Sequence, residues 1–257
     1  MIQDIYPHQF DNTFVPEAVI QDDDYVFYFE GDHLLLIKNK ASHSLPHVKD
    51  FDNIGDEYTF LFSLNGHQCF WCKDCRPKAD SSFELYEINF RYPLAQKELD
   101  WTTSVALHLR NWYEQHQFCG KCGTSTIISN KERAIKCPAC NMVKYPTISP
   151  AIIVAILCED KILLARGANW PDGRFSLVAG YVDVGETIED AIAREAKEEV
   201  GIRIKNIRFY KSQPWPFSGS MMIGYIAEAD GMQKIQVDNK EIAEAYWYDK
   251  NNLPQYP

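Results

Sequence analysis

Residues 180–202 read GYVDVGETIEDAIAREAKEEVGI, and this stretch constrains the chain more than any other. Taken as a helix over 187–201 at about 100° per residue, it places Ile188, Ile192, Glu195 and Glu199 within about 60° of one another. Asp190, Arg194 and Lys197 then fall on the opposite side. Two carboxylates therefore occupy the stripe that the isoleucines mark as core-facing. A buried carboxylate is costly unless it is paired or binds a metal. An acidic helix usually presents its charges to solvent, but here the solvated face lies elsewhere.

The helix carries its own boundaries. Thr187 with Asp190 three residues later is a start of the capping-box kind, and Glu189 and Asp190 suit the positive end of the dipole. Gly201 is a natural stop. Gly180 and Gly185 flank a tight loop before the helix, fed by a strand-like run over Phe175–Ala179. Glu195 and Glu199 at i, i+4 can share a divalent cation, with Glu198 on its flank. Hard oxygen donors suit Mg²⁺ or Mn²⁺, which bind substrate phosphates while keeping waters. Arg194 is expected to pair with a carboxylate such as Glu186 and so hold the loop.

Eight cysteines include two knuckles, Cys119-Gly-Lys-Cys122 and Cys137-Pro-Ala-Cys140. Four thiolates so spaced predict a closed tetrahedral Zn²⁺ site, structural by default, with ribbon strands over 126–129 and 133–136. His67, Cys69, Cys72 and Cys75 form a second group. It is crowded for four ligands on one ion, and Phe70 and Trp71 between the cysteines favour a strand in a core. Cys158 ends an apolar run and reads as a core thiol.

The rest organises around these motifs. Residues 1–110 read as an N-terminal α+β domain, 111–145 as the ribbon, and 146–257 as a catalytic α/β domain. Tyr25–Phe29 and Leu34–Ile37 predict a hairpin, Glu57–Leu64 a strand, and Thr103–His116 a helix. Asp22–Asp24 reads as a solvated acidic turn. Ala151–Leu157, Ile162–Ala165, Phe209–Ser212, Met221–Ala227 and Ala245–Tyr248 predict a mixed sheet. A net charge of −10 argues against broad sequence-independent nucleic-acid binding. No apolar run is long enough to cross a bilayer. The N-terminus, MIQDIYPHQFDN, lacks a signal-peptide pattern, so a cytoplasmic location is expected.

Downstream of the helix lies Ser212-Gln213-Pro214-Trp215-Pro216-Phe217-Ser218-Gly219-Ser220. Two large aromatics on a proline-stiffened loop, beside an amide, can stack and hydrogen-bond a base or nicotinamide ring. The same composition also suits a loop that covers a core.

Residues 180–202 match the Nudix box, G-x5-E-x7-R-E-U-x-E-E-x-G-U, at every fixed position. The run from Ser212 resembles the SQPWPFPxS pattern of the NADH pyrophosphatase subfamily, with Ser218 in place of the last proline. A four-cysteine ribbon before the catalytic domain is also a trait of that subfamily. The resemblance covers residues from about 105 onward and implies a Nudix α/β/α sandwich. It implies metal-dependent cleavage of the pyrophosphate of NAD(H) to NMN(H) and AMP, and removal of NAD caps from RNA 5′ ends.

Carried over by position, the resemblance gives the catalytic metal to Glu195, Glu199 and the carbonyl of Ala179, with Glu241 as a further ligand. Glu199 is the residue the reaction can least spare, and Glu198 competes for the role of base. Tyr181 becomes a ring-stacking aromatic. Gln213, Pro214, Trp215, Pro216, Phe217, Ser218, Gly219 and Ser220 line the dinucleotide pocket. Glu132 and Tyr145 contact substrate from the partner subunit of a homodimer, and Arg91 matches an N-terminal-domain arginine. In the subfamily a C-terminal helix after the Leu253-Pro254 region supports pocket and dimer. Two alternatives stand beside this reading. One is a Nudix hydrolase for another nucleoside diphosphate such as ADP-ribose, against which the SQPWPF run argues. The other is a zinc-ribbon RNA-binding or regulatory protein with a Nudix-like ligand sensor, against which the intact box argues.

Overall fold

The computed structural model describes residues 1–79, 82–88, 96–249 and 251–255. The chain divides into two units, Met1–Thr147 with Pro216–Ser218, and Ile148–Trp215 with Gly219–Pro257.

In the first unit, two sheets and one long helix share a core. One sheet runs in the order Phe10–Asp11, Tyr58–Leu64, His67–Cys72, Tyr25–Phe27. The other runs Phe83–Glu87, His33–Lys38, Phe29–Glu30, with His43–Ser44 also on His33–Lys38. The expected hairpin forms with the register Phe29↔Leu34 and Glu30↔His33, and Gly31 at φ +57° makes its turn. Helix Lys97–Gln115 starts six residues before the expected Thr103. Its polar first turn hides the apolar stripe, which begins with buried Leu99 and Trp101 and continues through Leu109, Trp112 and Tyr113. That stripe packs with Phe27, Leu36, Phe62 and Trp71. Asp24 is buried rather than solvated, because its carboxylate accepts from the Gln21 and Gln68 backbone N–H groups at 2.8 and 2.9 Å.

In the second unit, a mixed sheet has the order Ile204–Trp215, Ser220–Ala229, Ser149–Cys158, Lys161–Gly167, Ile242–Asp249, with Val178–Tyr181 also on Ser149–Cys158. Ser149–Cys158 pairs in parallel with Ser220–Ala229 and antiparallel with its other neighbours. Helix Ile188–Val200 packs Ala191, Ile192, Ala196 and Val200, all fully buried, against Ile152, Val154, Ile156 and Leu163. The α/β class holds, and this helix is the unit's helical layer among the described residues.

Two boundaries shift. The strand before the loop is Val178–Tyr181 rather than Phe175–Ala179, because Ser176 is spent on an isolated bridge to Ala165. Gln213–Trp215 ends a twelve-residue strand rather than lying in a loop, and only Pro216–Ser218 is a 3-10 turn. Pro214 is tolerated there because Ile204–Trp215 is an edge strand. Among the described residues no helix is long and apolar enough to cross a membrane.

Candidate functional site: a carboxylate helix and a cysteine ribbon

Helix Ile188–Val200 begins where its sequence says. The Thr187 hydroxyl accepts from Asp190 N at 3.1 Å and donates to the Asp190 carboxylate at 2.7 Å. It ends on Gly201 in the left-handed region, φ +73°, where a Cβ would press against Gln236.

Both core-facing glutamates are buried, Glu195 at 9% and Glu199 at 7% exposure. Glu195 lies against the backbone of Gly180 so closely that a Cβ there would collide with its carboxylate. Burial raises the Glu195 pKa above the usual carboxylate range, opposed by Arg194. Glu199 is pushed up to about 8, first by burial and then by the charges of Glu195, Glu241 and Asp238. One of its carboxylate oxygens, Oε2, is buried with no hydrogen-bond partner. An orphaned acceptor among three other carboxylates is out of place in a settled core. It fits a site for a divalent cation, whose charge reverses the local electrostatics.

Arg194 departs from the simple helical projection. Its Cα sits on the outer side, but its side chain folds back and is only 26% exposed. Nε and Nη2 grip Glu186 at 2.6 and 3.0 Å, Nη2 also bonds the Tyr181 carbonyl at 3.0 Å, and Nη1 reaches Glu195 at 2.9 Å and Glu198 at 3.1 Å. Glu186 further accepts from Asp183 N at 2.9 Å, and its pKa falls to about 2 through Arg194. The expected loop-holding pair is therefore present, and the same guanidinium orients Glu195. Glu198 is largely exposed beyond that one contact.

Glu241 is exposed and follows Asp238, whose carboxylate accepts from Glu241 N at 3.0 Å and Ile242 N at 2.9 Å. Asp238 N in turn donates to the Glu199 carbonyl at 3.2 Å. Asp238 thus fixes the Glu241 loop to the helix, a role sequence reading missed. Its signal was an Asp three residues before the glutamate, the pattern of a side-chain-closed turn. Ala179 is paired in register with Ile153, and exposed Tyr181 places its hydroxyl 3.3 Å from Ser220 Oγ.

The four ribbon thiols close on one another, all within 4.8 Å, with Cys119–Cys140 at 3.6 Å and Cys122–Cys137 at 3.5 Å. Sulfurs at about 2.3 Å from a tetrahedral ion would lie roughly 3.8 Å apart. Each knuckle turns through a left-handed residue just after its second cysteine, Gly123 at φ +74° and Asn141 at φ +58°. There Gly123 N donates to Cys119 O and Asn141 N to Cys137 O. Cys122 is brought down to about 6, first by the Thr124 hydroxyl and then by its backbone. Among the described residues this is the one compact His/Cys/Asp/Glu donor group.

Strands Ile127–Ile128, Ile135–Lys136 and Val143–Lys144 frame the ribbon, and Tyr145 donates to Glu132 at 3.1 Å. Cys69 and Cys72 are fully buried in different core clusters, so the core reading of that strand holds. Arg91 lies outside the described residues.

Residues 148–257 match the NUDIX domain family. This part of the chain is a Nudix domain. Residues 114–143, just before the Nudix domain, match the NADH pyrophosphatase zinc ribbon domain. A protein named NAD-capped RNA hydrolase NudC from Salmonella heidelberg (strain SL476) is 47% identical over 151 residues, which cover 59% of this chain and 58% of that protein. Its namesake from Escherichia coli O1:K1 / APEC is 45% identical over the same shares. The chain thus spans 58% of the length of these curated relatives. A solved Nudix hydrolase from Nitrosomonas europaea is 25% identical with a TM-score of 0.47, over 54% of this chain and 80% of that one.

Proposed function

We propose that the chain hydrolyses the pyrophosphate of NAD(H) to NMN(H) and AMP, and removes NAD caps from RNA to leave 5′-monophosphate ends. The observation that carries this is the pairing of a ribbon of the NADH pyrophosphatase kind with a Nudix domain whose buried Glu199 has an orphaned carboxylate oxygen and a pKa pushed up to about 8. The names of the curated relatives support the same substrate.

Glu195, Glu199, Glu241 and the Ala179 carbonyl would hold Mg²⁺ or Mn²⁺. When bound, such ions neutralise pyrophosphate oxygens and lower the pKa of a coordinated water. The chain's own residues do the rest. Arg194 holds Glu195 and Glu198 at fixed distances while clamping the loop through Glu186. Asp238 keeps Glu241 beside the helix. Glu199 serves as ligand and base, with Glu198 the competitor for the proton because its carboxylate is open to solvent. Tyr181 and the residues from Gln213 to Ser220 would bind the dinucleotide, and Glu132 and Tyr145 would reach it from the partner subunit of a homodimer. Cys119, Cys122, Cys137 and Cys140 would hold a structural Zn²⁺.

The test is product analysis with NADH, NAD-capped RNA and ADP-ribose, each with Mg²⁺ and with Mn²⁺. Release of NMNH with AMP, and of 5′-monophosphate RNA, is expected. Turnover of ADP-ribose alone would overturn the assignment.

A further inference from the structure

From Ile202 to Ala227 the chain contains no Asp or Glu, although 36 of its 257 residues are acidic. The same stretch carries Arg203, Lys205, Arg208 and Lys211. Three of these four, Lys205, Arg208 and Lys211, lie on strand Ile204–Trp215 at one edge of the mixed sheet. Basic residues on an edge strand ordinarily prevent edge-to-edge pairing. That accounts for Lys205, which is ion-paired with Asp230 at 3.0 Å, beside Asn206 bonded to Glu228.

It does not account for Arg208–Lys211. Phe209 is 60% and Tyr210 63% exposed, and two bare rings on an edge invite association rather than prevent it. The flanking Arg208 and Lys211 are exposed and form no ion pair among the described residues. Register shifts fall between Lys205 and Arg208 and between Phe209 and Lys211. Tyr210 therefore has no cross-strand partner, and the two rings are presented separately. Phe209 is steadied edge-on by Tyr225 at 5.7 Å, whose hydroxyl bonds Glu189 in the first turn of the box helix. Lys211 Nζ sits 5.9 Å from the Tyr210 ring centre. Cation, ring, ring, cation spans about 10 Å along a strand. Unpaired cations carry affinity for a phosphate backbone, and aromatic faces stack unpaired bases without regard to sequence.

We propose that Arg208–Lys211 is a docking track for the single-stranded RNA that follows the cap, with bases stacked on Phe209 and Tyr210 and phosphates held by Arg208 and Lys211. The proposal rests on the reading that the chain acts on NAD-capped RNA. The track leads along the same strand into Gln213–Trp215, the start of the proposed dinucleotide pocket. Free NADH has no chain beyond its two nucleotides, so the track discriminates capped RNA from the free dinucleotide.

Two variants test it, F209A/Y210A and R208Q/K211Q, both at exposed positions. Each is expected to raise KM for an NAD-capped 20-nucleotide RNA at least tenfold while kcat/KM for NADH stays within twofold. The R208Q/K211Q pair should also flatten the log–log salt dependence of RNA binding by about 1.4, since each single-strand phosphate contact contributes roughly 0.7. An unchanged KM for the capped RNA in both variants, or an equal loss on both substrates, would overturn the track. So would altered self-association without altered RNA affinity, which would make this edge an interface between copies. If the wild type turns over neither substrate, the functional reading fails by itself. Fluorescence anisotropy with a labelled uncapped 5′-monophosphate oligoadenylate then decides the track alone: binding lost in both variants supports it, and binding unchanged refutes it.

Discussion

At Glu199, burial and the charges of three neighbouring carboxylates act on one side chain. Its folded pKa of about 8 lies above the ordinary carboxylate value of 4.5, and burial is the main cause. Without metal, the folded state therefore holds a proton that the unfolded state has released. Stability is undiminished below about pH 4.5 and is lost as pH rises toward 8, by at most ~1.4 kcal/mol per pH unit in that window. The metal-free protein should accordingly melt at a lower temperature at pH 8 than at pH 6. Glu199→Gln should flatten that slope, keep the fold and abolish turnover, as read by thermal melts in chelator alongside NADH hydrolysis. A steep slope surviving in the variant would assign it elsewhere. Gly180 offers a complementary probe, because a Cβ there meets the Glu195 carboxylate. Gly180→Ala should cut kcat/KM about a hundredfold, and most of that loss should vanish when the change is repeated in a Glu195→Ala background. Two independent losses that simply multiply would remove the proposed contact.

At the scale of elements, the box helix tests how local signals decide structure. Thr187→Ala removes the hydroxyl that accepts from Asp190 N and should cost about 1 kcal/mol, measured by urea unfolding at saturating Mg²⁺. No measurable change would mean that tertiary packing alone sets the helix start. The helix was legible from sequence because its cap, stop and apolar period all agree. The knuckles were legible because four thiols at fixed spacing leave little choice of chemistry. Other elements were not. Helix Lys97–Gln115 opens on Lys97 and Glu98, so its early buried turn, Leu99 and Trp101, carries no periodic warning. The sequence pattern starts strand Val178–Tyr181 too early because Phe175 and Ser176 look strand-like yet serve a ring cluster with Tyr246 and Tyr248 and a bridge to Ala165. A helical projection puts Arg194 on the solvated side because it tracks Cα atoms, whereas a long guanidinium can return to the opposite face. Asp238 escaped notice because its work is done through backbone N–H groups of the next turn.

For the whole molecule, the two candidate metal sites sit in different units and have opposite chemistry. The ribbon offers four soft thiols within 4.8 Å, Cys122 among them with a pKa near 6. The Nudix domain offers hard carboxylates, one of which is held against ionisation by its burial and by the charges of its neighbours. Thiolates hold zinc tightly and surrender it as acid protonates them, whereas carboxylates exchange Mg²⁺ freely. The purified protein should therefore carry about one zinc per chain after dialysis against mild chelator, and Cys137→Ser should carry none. Hydrogen exchange separates the two sites. Zinc loss in Cys137→Ser should strip protection from residues 117–145 and leave helix Ile188–Val200 protected. Added Mg²⁺ should raise protection around Gly180, the box helix and the Glu241 loop without changing the ribbon. Loss of box-helix protection on zinc removal would refute the division, because it would make the ribbon part of the cooperative unit that forms the carboxylate site.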